Sequence, residues 1–186
     1  EVGISHVDLQ HAEPHLQQWL DKGYHGEMAY MQRHGLLRAR PAELVPHTIS
    51  MICATLPYYP ADAADSDAIL ADGHKAFISR YALGRDYHKV FRKKLQQLAD
   101  KIAHEIGPFG YRVFTDSAPI LEVESAVQAG LGWRGKHTLL LNRQAGSFFF
   151  LGEILTDLPL QAAPVQTPHC GDCDACLRIC PTQAIL

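Results

Sequence analysis

Residues 88–119 read HKVFRKKLQQLADKIAHEIGPFGYRVFTDSAP. Phe91, Leu95, Leu98, Ile102 and Ile106 recur at helical spacing, with most of the basic residues between them. That period predicts a helix over 88–106 whose apolar stripe faces a core. Gly107-Pro108 ends it, since proline cannot continue the turn. Tyr111 to Thr115 alternates apolar and polar, as a strand does. Asp116-Ser117-Ala118-Pro119 then turns the chain into a second helix, over roughly 120–129.

Residues 13–22 carry Leu16, Trp19 and Leu20 on one helical face, and Gly23 stops them. Residues 24–46 read as loop-rich. Residues 49–56 form a continuous apolar run with β-branched members, which predicts a strand buried on both sides and holding Cys53 as a small hydrophobe. Pro57 and Pro60 end that run, residues 62–73 read as a polar loop, and residues 75–81 read as a second strand. Residues 137–141 and 148–155 read as strands of a hairpin around 142–146. Residues 159–168 link this unit to a cysteine cluster. The order is mixed, so the expected fold is a layered α/β or α+β domain.

The chain has 186 residues, 47% hydrophobic and 20% charged, with formal net charge −3. These are the proportions of a globular protein that can bury a core, and composition alone announces no nucleic-acid binder. Asp62, Asp65, Asp67 and Asp72 form an acidic stretch that reads as solvated surface. Arg80, Arg85, Lys89, Arg92, Lys93 and Lys94 form a basic one. No apolar run reaches the ~20 residues that span a bilayer, and no signal-peptide pattern is visible. The expected location is the cytoplasm. The chain opens on Glu1 and stops just after the cysteine cluster, so it reads as a fragment missing both ends.

Four of the five cysteines fall within eleven residues: Cys170, Cys173, Cys176 and Cys180, with Pro181 behind them. Bridges are disfavoured in a reducing compartment and at such tight spacing. C-x2-C-x2-C-x3-C-P is the bacterial ferredoxin run. Short turns let three thiolates wrap one face of a cubane, and a helical turn carries the fourth away toward another cluster. Structural zinc sites instead pair two knuckles across a longer loop, so iron–sulfur is preferred over zinc. Two cubanes need about eight ligands; the missing four are expected beyond Leu186.

Three further segments carry more chemistry than scaffolding needs: residues 79–88, residues 115–119, and the glycine loop at 130–137. The spacing Gly130, Gly132, Gly135 is a weak dinucleotide signal, because a strand follows it. From the residues alone the default reading of Asp116 is a helix N-cap rather than a catalytic acid, and Ser117 would serve equally as the cap.

Together these segments resemble a known family. Ser79-Arg80-Tyr81 through Tyr87-His88, Asp116-Ser117-Ala118-Pro119, Ala129-Gly130-Leu131-Gly132-Trp133 through Lys136-His137, and Gly146-Ser147 with Phe150-Leu151-Gly152-Glu153 resemble epoxyqueuosine reductase. The cysteine run follows at that family's distance. The resemblance covers nearly the whole chain. It implies a cobalamin-binding catalytic domain over 1–160, flavin-reductase-like and similar to reductive dehalogenases. A partial ferredoxin-like 4Fe–4S module would begin at 161–186.

The activity implied is reduction of the epoxide of epoxyqueuosine in tRNA to queuosine, with cobalamin and two [4Fe–4S] clusters. The partners implied are that tRNA and an electron donor, with no membrane and a monomeric enzyme. Asp116 maps to the proton donor; a carboxyl against an apolar corrin face keeps its proton near neutral pH because the charged form is desolvated. Arg40, Tyr81, Arg85, Lys136, His137 and Ser147 are candidates for contacting cobalamin side amides or tail phosphate. Cys170, Cys173, Cys176 and Cys180 are the metal ligands. No histidine is marked as an axial ligand. Arg85, Lys89, Arg92, Lys93 and Lys94 would meet tRNA phosphates, though they equally suit a solvated helix face.

Two departures stand out. Val123 follows Leu121-Glu122 where the family usually carries arginine, and the second cluster's remaining cysteines are absent. The competing readings are a reductive dehalogenase relative, and a ferredoxin-type or cobalamin carrier. Dehalogenase relatives usually carry a twin-arginine signal, and none is visible. A carrier needs no acid over the corrin.

Overall fold

The computed structural model describes residues 1–60 and 62–185; Ala61 and Leu186, the last residue of the expected second segment, lie outside the described residues. The elements run β1 (Val2–His6), α1 (Glu13–Asp21), α2 (Ala29–His34), α3 (Pro41–Leu44), β2 (Ser50–Pro57), α4 (Ser66–Ala71), α5 (Tyr87–Ile106), β3 (Tyr111–Phe114), α6 (Glu122–Gln128), β4 (Trp133–Arg134), β5 (Leu140–Leu141), β6 (Phe149–Thr156) and α7 (Ala175–Ile179). β1, β2, β6 and β3 lie side by side in that order in one sheet. Every neighbour is antiparallel. Helices cover both faces, so the architecture is a layered α+β unit.

Strand alternation explains the two faces. Met51, Cys53 and Leu155 point toward α6 and pack with Leu9, Ile120 and Ala126. Ile52, Ala54 and Ile154 point the other way and pack with Phe91, Leu95 and Ala99 of α5. Burying each large side chain of these sets contributes about 1.5–3 kcal/mol. Gly152 sits where α5 crosses the sheet. A Cβ there would lie 2.8 Å from Leu95 Cδ1 and 3.0 Å from the Phe114 carbonyl oxygen, so only glycine lets the helix approach. Asp86 caps α5 by accepting the His88 N–H at 3.0 Å. At the other end Gly107, with φ 91°, releases the chain.

Several sequence expectations hold: the helices at 13–22, 88–106 and 120–129, the strands at 49–56 and 111–115, and a buried Cys53. Others need correction. The loop at 24–46 contains α2, α3 and a 3-10 turn over Gly35–Ala39; these pieces are too short to show a period. The polar loop at 62–73 contains α4, capped by Asp65. Residues 75–81 form no strand. Phe77 and Ile78 stay exposed, and Arg80 ties the segment to Ser66 Oγ at 2.9 Å instead. β1 was missed and pairs along β2. The hairpin around 142–146 does not form between the expected strands. Asn142 and Gly146 close the turn, yet β5 pairs with β4 while β6 joins the large sheet. No helix among the described residues is long and apolar enough to cross a membrane.

Candidate active site

β3 ends against the sheet through buried Thr115, whose Oγ1 donates to the Leu151 carbonyl at 2.9 Å. The next residue, Asp116, adopts φ 59°. A left-handed non-glycine residue is strained unless its surroundings hold it. Here its N–H donates to Glu122 Oε1 at 2.6 Å. Glu122 opens α6, so Asp116 stands six residues before the helix start. The N-cap residue is Leu121, with no side-chain cap. Asp116 and Ser117 are therefore not caps: the turn between them and α6 is too long.

The Asp116 carboxyl instead faces α5. The Tyr87 hydroxyl donates to Asp116 Oδ2, and His88 Nε2 lies 3.0 Å from the same oxygen. His88 Nδ1 lies 2.9 Å from Asp86 Oδ1. Desolvation works to lower the His88 pKa, but hydrogen bonds to Asp86 and Asp116 outweigh it and hold the imidazole above its ordinary value. Burial, then the hydrogen bond to Asp116, pushes the Tyr87 phenol well up. Arg92 donates to Ser117 Oγ at 3.0 Å and ties the turn to the basic face of α5.

Tyr87 also stacks on Phe150 at 3.9 Å and 2° between planes, and Tyr58 leans on Phe150 at 4.6 Å. These rings wall a cavity of about 500 Å³ whose rim includes Arg80, Tyr81, Arg85 and Lys94. A second cavity of about 560 Å³ lies on the Asp116 side, lined by Trp19, Tyr30, Arg38, Asp116, Leu121 and Arg134 among others. The Tyr87–Asp116 contact stands between the two. Val123, the departure noted above, lines the second cavity and packs against the core.

Next to Asp116 lies a carboxyl pair, Glu122 and Glu153. Glu153 on β6 is fully buried. Among the described residues neither of its oxygens has a hydrogen-bond partner of good geometry; the Glu122 carboxyl adjoins it. Burial and the adjacent Glu122 carboxyl push Glu153 well above the carboxylate range. Burial pushes Glu122 up to about 7, against the pull of the Asp116 N–H. Two ionised carboxylates cannot satisfy one another in an apolar interior. The signal for this pair was in the sequence: one acidic residue inside the apolar stretch FFFLGEIL.

The cysteine loop lies elsewhere on the chain. Cys170 and Cys173 bracket a turn closed by the Cys173 N–H to the Cys170 carbonyl at 2.8 Å. Cys176 sits in α7, and Cys180 follows its last residue. All four thiols are free and at least partly accessible. Hydrogen bonds from Thr182 and nearby backbone amides bring the Cys180 thiol down to about 7, which favours the thiolate that ligates metal. Among the described residues no three acidic, histidine or cysteine side chains are already gathered around one point. The four thiols have the residue type and order that a cluster would need.

The other expected site residues do not gather at one place. Tyr81 and Arg85 line the aromatic cavity. Lys136 reaches the cysteine loop: its Nζ donates to the Gly171 and Cys173 carbonyls, both at 2.9 Å. Arg40 is held by Glu13, with Nε to Oε1 at 2.7 Å and Nη2 to Oε2 at 3.2 Å. His137 Nδ1 accepts the Leu139 N–H at 3.1 Å within its own loop. Ser147 lies half-buried just before β6. Tyr87, His88, Glu122 and Glu153 were not assigned roles from sequence.

The family described as "Epoxyqueuosine reductase QueG, DUF1730" matches residues 38–117, a span that closes on Asp116 and Ser117. The epoxyqueuosine reductase of Pseudomonas aeruginosa is 58% identical over the full chain. The chain is related to the epoxyqueuosine reductases over its whole length. It spans about half the length of the curated relatives it matches, 52% of the Pseudomonas protein. A selenomethionine-labelled epoxyqueuosine reductase crystal structure superposes with TM-score 0.86 at 25% identity, covering 100% of this chain and 49% of that one. Another, solved with an epoxyqueuosine-modified tRNA-Tyr stem loop, superposes with TM-score 0.82 at 25% identity, covering 100% of this chain and 48% of that one. The fold of those epoxyqueuosine reductases is thus the fold of this chain.

Proposed function

We propose that this chain is the catalytic part of an epoxyqueuosine reductase, reducing the epoxide of epoxyqueuosine in tRNA to the alkene of queuosine. Residues 1–160 form the cobalamin-binding catalytic domain, and the segment from 161 begins a ferredoxin-like module. One observation carries the reading. The Asp116 carboxyl, in direct contact with Tyr87 and His88, stands between two cavities in a chain 58% identical to a curated epoxyqueuosine reductase.

The residues fit the cofactors. Tyr87 and Phe150, stacked face to face, and Tyr58 tilted against Phe150 offer an apolar wall to a corrin. Arg80, Tyr81, Arg85 and Lys94 on its rim supply donors for side amides or a tail phosphate. When bound, cobalamin supplies a low-valent nucleophilic cobalt, and the clusters bring its electrons one at a time. Cys170, Cys173 and Cys176 would hold one cluster with a fourth ligand from outside the chain, and Cys180 the other.

The chain's own residues manage protons. Opening an epoxide to an alkene consumes two electrons and two protons and releases water. Asp116 delivers a proton to the departing oxygen. Tyr87 donates a hydrogen bond to the carboxyl and fixes which oxygen faces the substrate. His88, protonated between Asp86 and Asp116, restores the proton after each transfer. Exposed Lys89, Arg92 and Lys93 on α5 hold the tRNA backbone beside this turn. The tRNA stem loop in a related solved structure supports that substrate. The enzyme acts as a cytoplasmic monomer fed by a separate electron donor.

The test is the full-length protein prepared without oxygen. It should show corrin absorbance, carry about eight irons per chain and convert epoxyqueuosine in tRNA to queuosine. Zinc in place of iron, or no conversion with a competent reductant, would overturn the reading.

A further inference from the structure

Glu153 is a charged residue type in the middle of the central strand, fully buried and with no donor at either oxygen. Glu122 meets it from the first turn of α6 and spends Oε1 on the Asp116 N–H. Asp116 is the residue whose backbone stands at φ 59°. A buried carboxyl pair, a backbone donor and a left-handed turn are thus linked in series beneath the site.

We propose that Glu122 and Glu153 share one proton and act together as a positioning pair that clamps the Asp116 turn. The inference rests on the role proposed above for Asp116. With the proton present, Glu122 is anchored from below by Glu153 and its free oxygen holds the Asp116 N–H. Loss of the proton leaves two carboxylates facing each other in an apolar interior. Repulsion then drives Glu122 outward, the Asp116 N–H loses its acceptor, and the left-handed backbone keeps only the Ser117 N–H bond to the Thr115 carbonyl across it. The Asp116 carboxyl leaves Tyr87 and His88, and proton delivery stops.

The groups around the pair agree with a single shared proton. From β2, Cys53 faces it as a buried thiol kept neutral by burial and by both glutamates. From the turn, Asp116 adds negative charge beside Glu122, and from the start of α5, His88 adds positive charge. Among the described residues no arginine or lysine acts on either carboxyl, so the proton takes that role.

The experiment uses full-length, cofactor-loaded protein and two readouts. Infrared difference spectroscopy should show a buried carboxylic acid carbonyl band in the wild type at neutral pH. The band should fade as pH rises, together with turnover. Glu153→Gln supplies a permanent donor to Glu122, so it should fold, lose that band, and move the alkaline midpoint of kcat upward by about one pH unit or more with KM for tRNA unchanged. No band in the wild type, or a profile of Glu153→Gln that superimposes on the wild type, would contradict the clamp. Should Glu153→Gln fail to fold, the wild-type titration decides alone: a band that persists while turnover falls refutes the proposal. If no protein reduces the epoxide but the band titrates as described, the carboxyl pair stands and the proposed reaction fails.

Discussion

His88 Nε2 lies 3.0 Å from Asp116 Oδ2 while its Nδ1 lies 2.9 Å from Asp86 Oδ1. Both ring nitrogens therefore meet carboxylates, an arrangement that asks for the doubly protonated imidazolium. The pair spans 28 residues of sequence. It joins the first turn of α5 to the turn after β3, the two segments that the fold brings together at one end of the sheet.

His88 supports stability in a defined direction. Its folded pKa lies above the ordinary 6.5. The folded state therefore binds more protons than the unfolded state between those values, and stability falls as pH rises through them. The contribution is fully present below 6.5 and absent above the raised value. Proton NMR titration should place the His88 midpoint above 6.5, and His88→Gln should remove that part of the pH dependence of Tm.

Tyr87→Phe keeps the ring stack on Phe150 and removes only the hydroxyl that meets Asp116. One hydrogen bond to a charged group is worth about 1.5 kcal/mol. The expected loss in kcat is about tenfold, with cobalamin affinity and melting temperature nearly unchanged. A steady-state comparison of the two proteins measures it.

The Glu122–Glu153 pair acts on stability in the same sense as His88 but at lower pH. Folding raises Glu122 from 4.5 to about 7. Across that window the unfolded chain has released a proton that the folded chain keeps, so stability falls as pH rises. Glu153→Gln should flatten this slope. Melting temperatures of wild type and variant should diverge from acidic to neutral pH in favour of the variant, by roughly 2–4 °C for each kcal/mol in a domain of this size.

How much of this was legible from sequence differs by element. The α5 stripe was legible because Phe91, Leu95, Leu98 and Ile102 repeat over about three turns, and β2 because its apolar run is long. Ile106 fits the same period yet is 61% exposed, since α5 outruns the sheet. α2, α3 and α4 were not legible: four to six residues hold too few repeats to show a period. β1 was missed because its five residues VGISH alternate weakly. Asp116 drew notice as a carboxylate at a strand end, but its partners could not be named. Tyr87 and His88 stand 29 and 28 residues away, and only the packing of α5 along β3 and β6 brings them there. Arg40 and Lys136 show the limit of inference by residue type, because each cation found a local partner that spacing does not reveal.

Lys136 gives a prediction independent of the site. Its ammonium joins two carbonyls of the cysteine loop. Lys136→Met should keep cobalamin binding and raise the rate at which a chelator strips iron from the full-length protein several-fold. Loss of the corrin with iron retained would reverse this assignment.

Gly152→Ala probes the α5 contact with the sheet. The added methyl would meet Leu95 Cδ1 at 2.8 Å and the Phe114 carbonyl oxygen at 3.0 Å. The backbone oxygen cannot retreat, so overpacking should cost about 1–3 kcal/mol. Chemical denaturation of the variant against wild type reads this directly.

In the proposed reaction Asp116 hands a proton to the epoxide oxygen as it departs. Asp116→Asn preserves size and the Tyr87 contact but removes the acid. Single-turnover reduction of epoxyqueuosine tRNA by the full-length, cofactor-loaded variant should slow by about 10²–10⁴-fold, with iron content, corrin absorbance and tRNA affinity held at wild-type values. Turnover at the wild-type rate would show that the proton comes from another group.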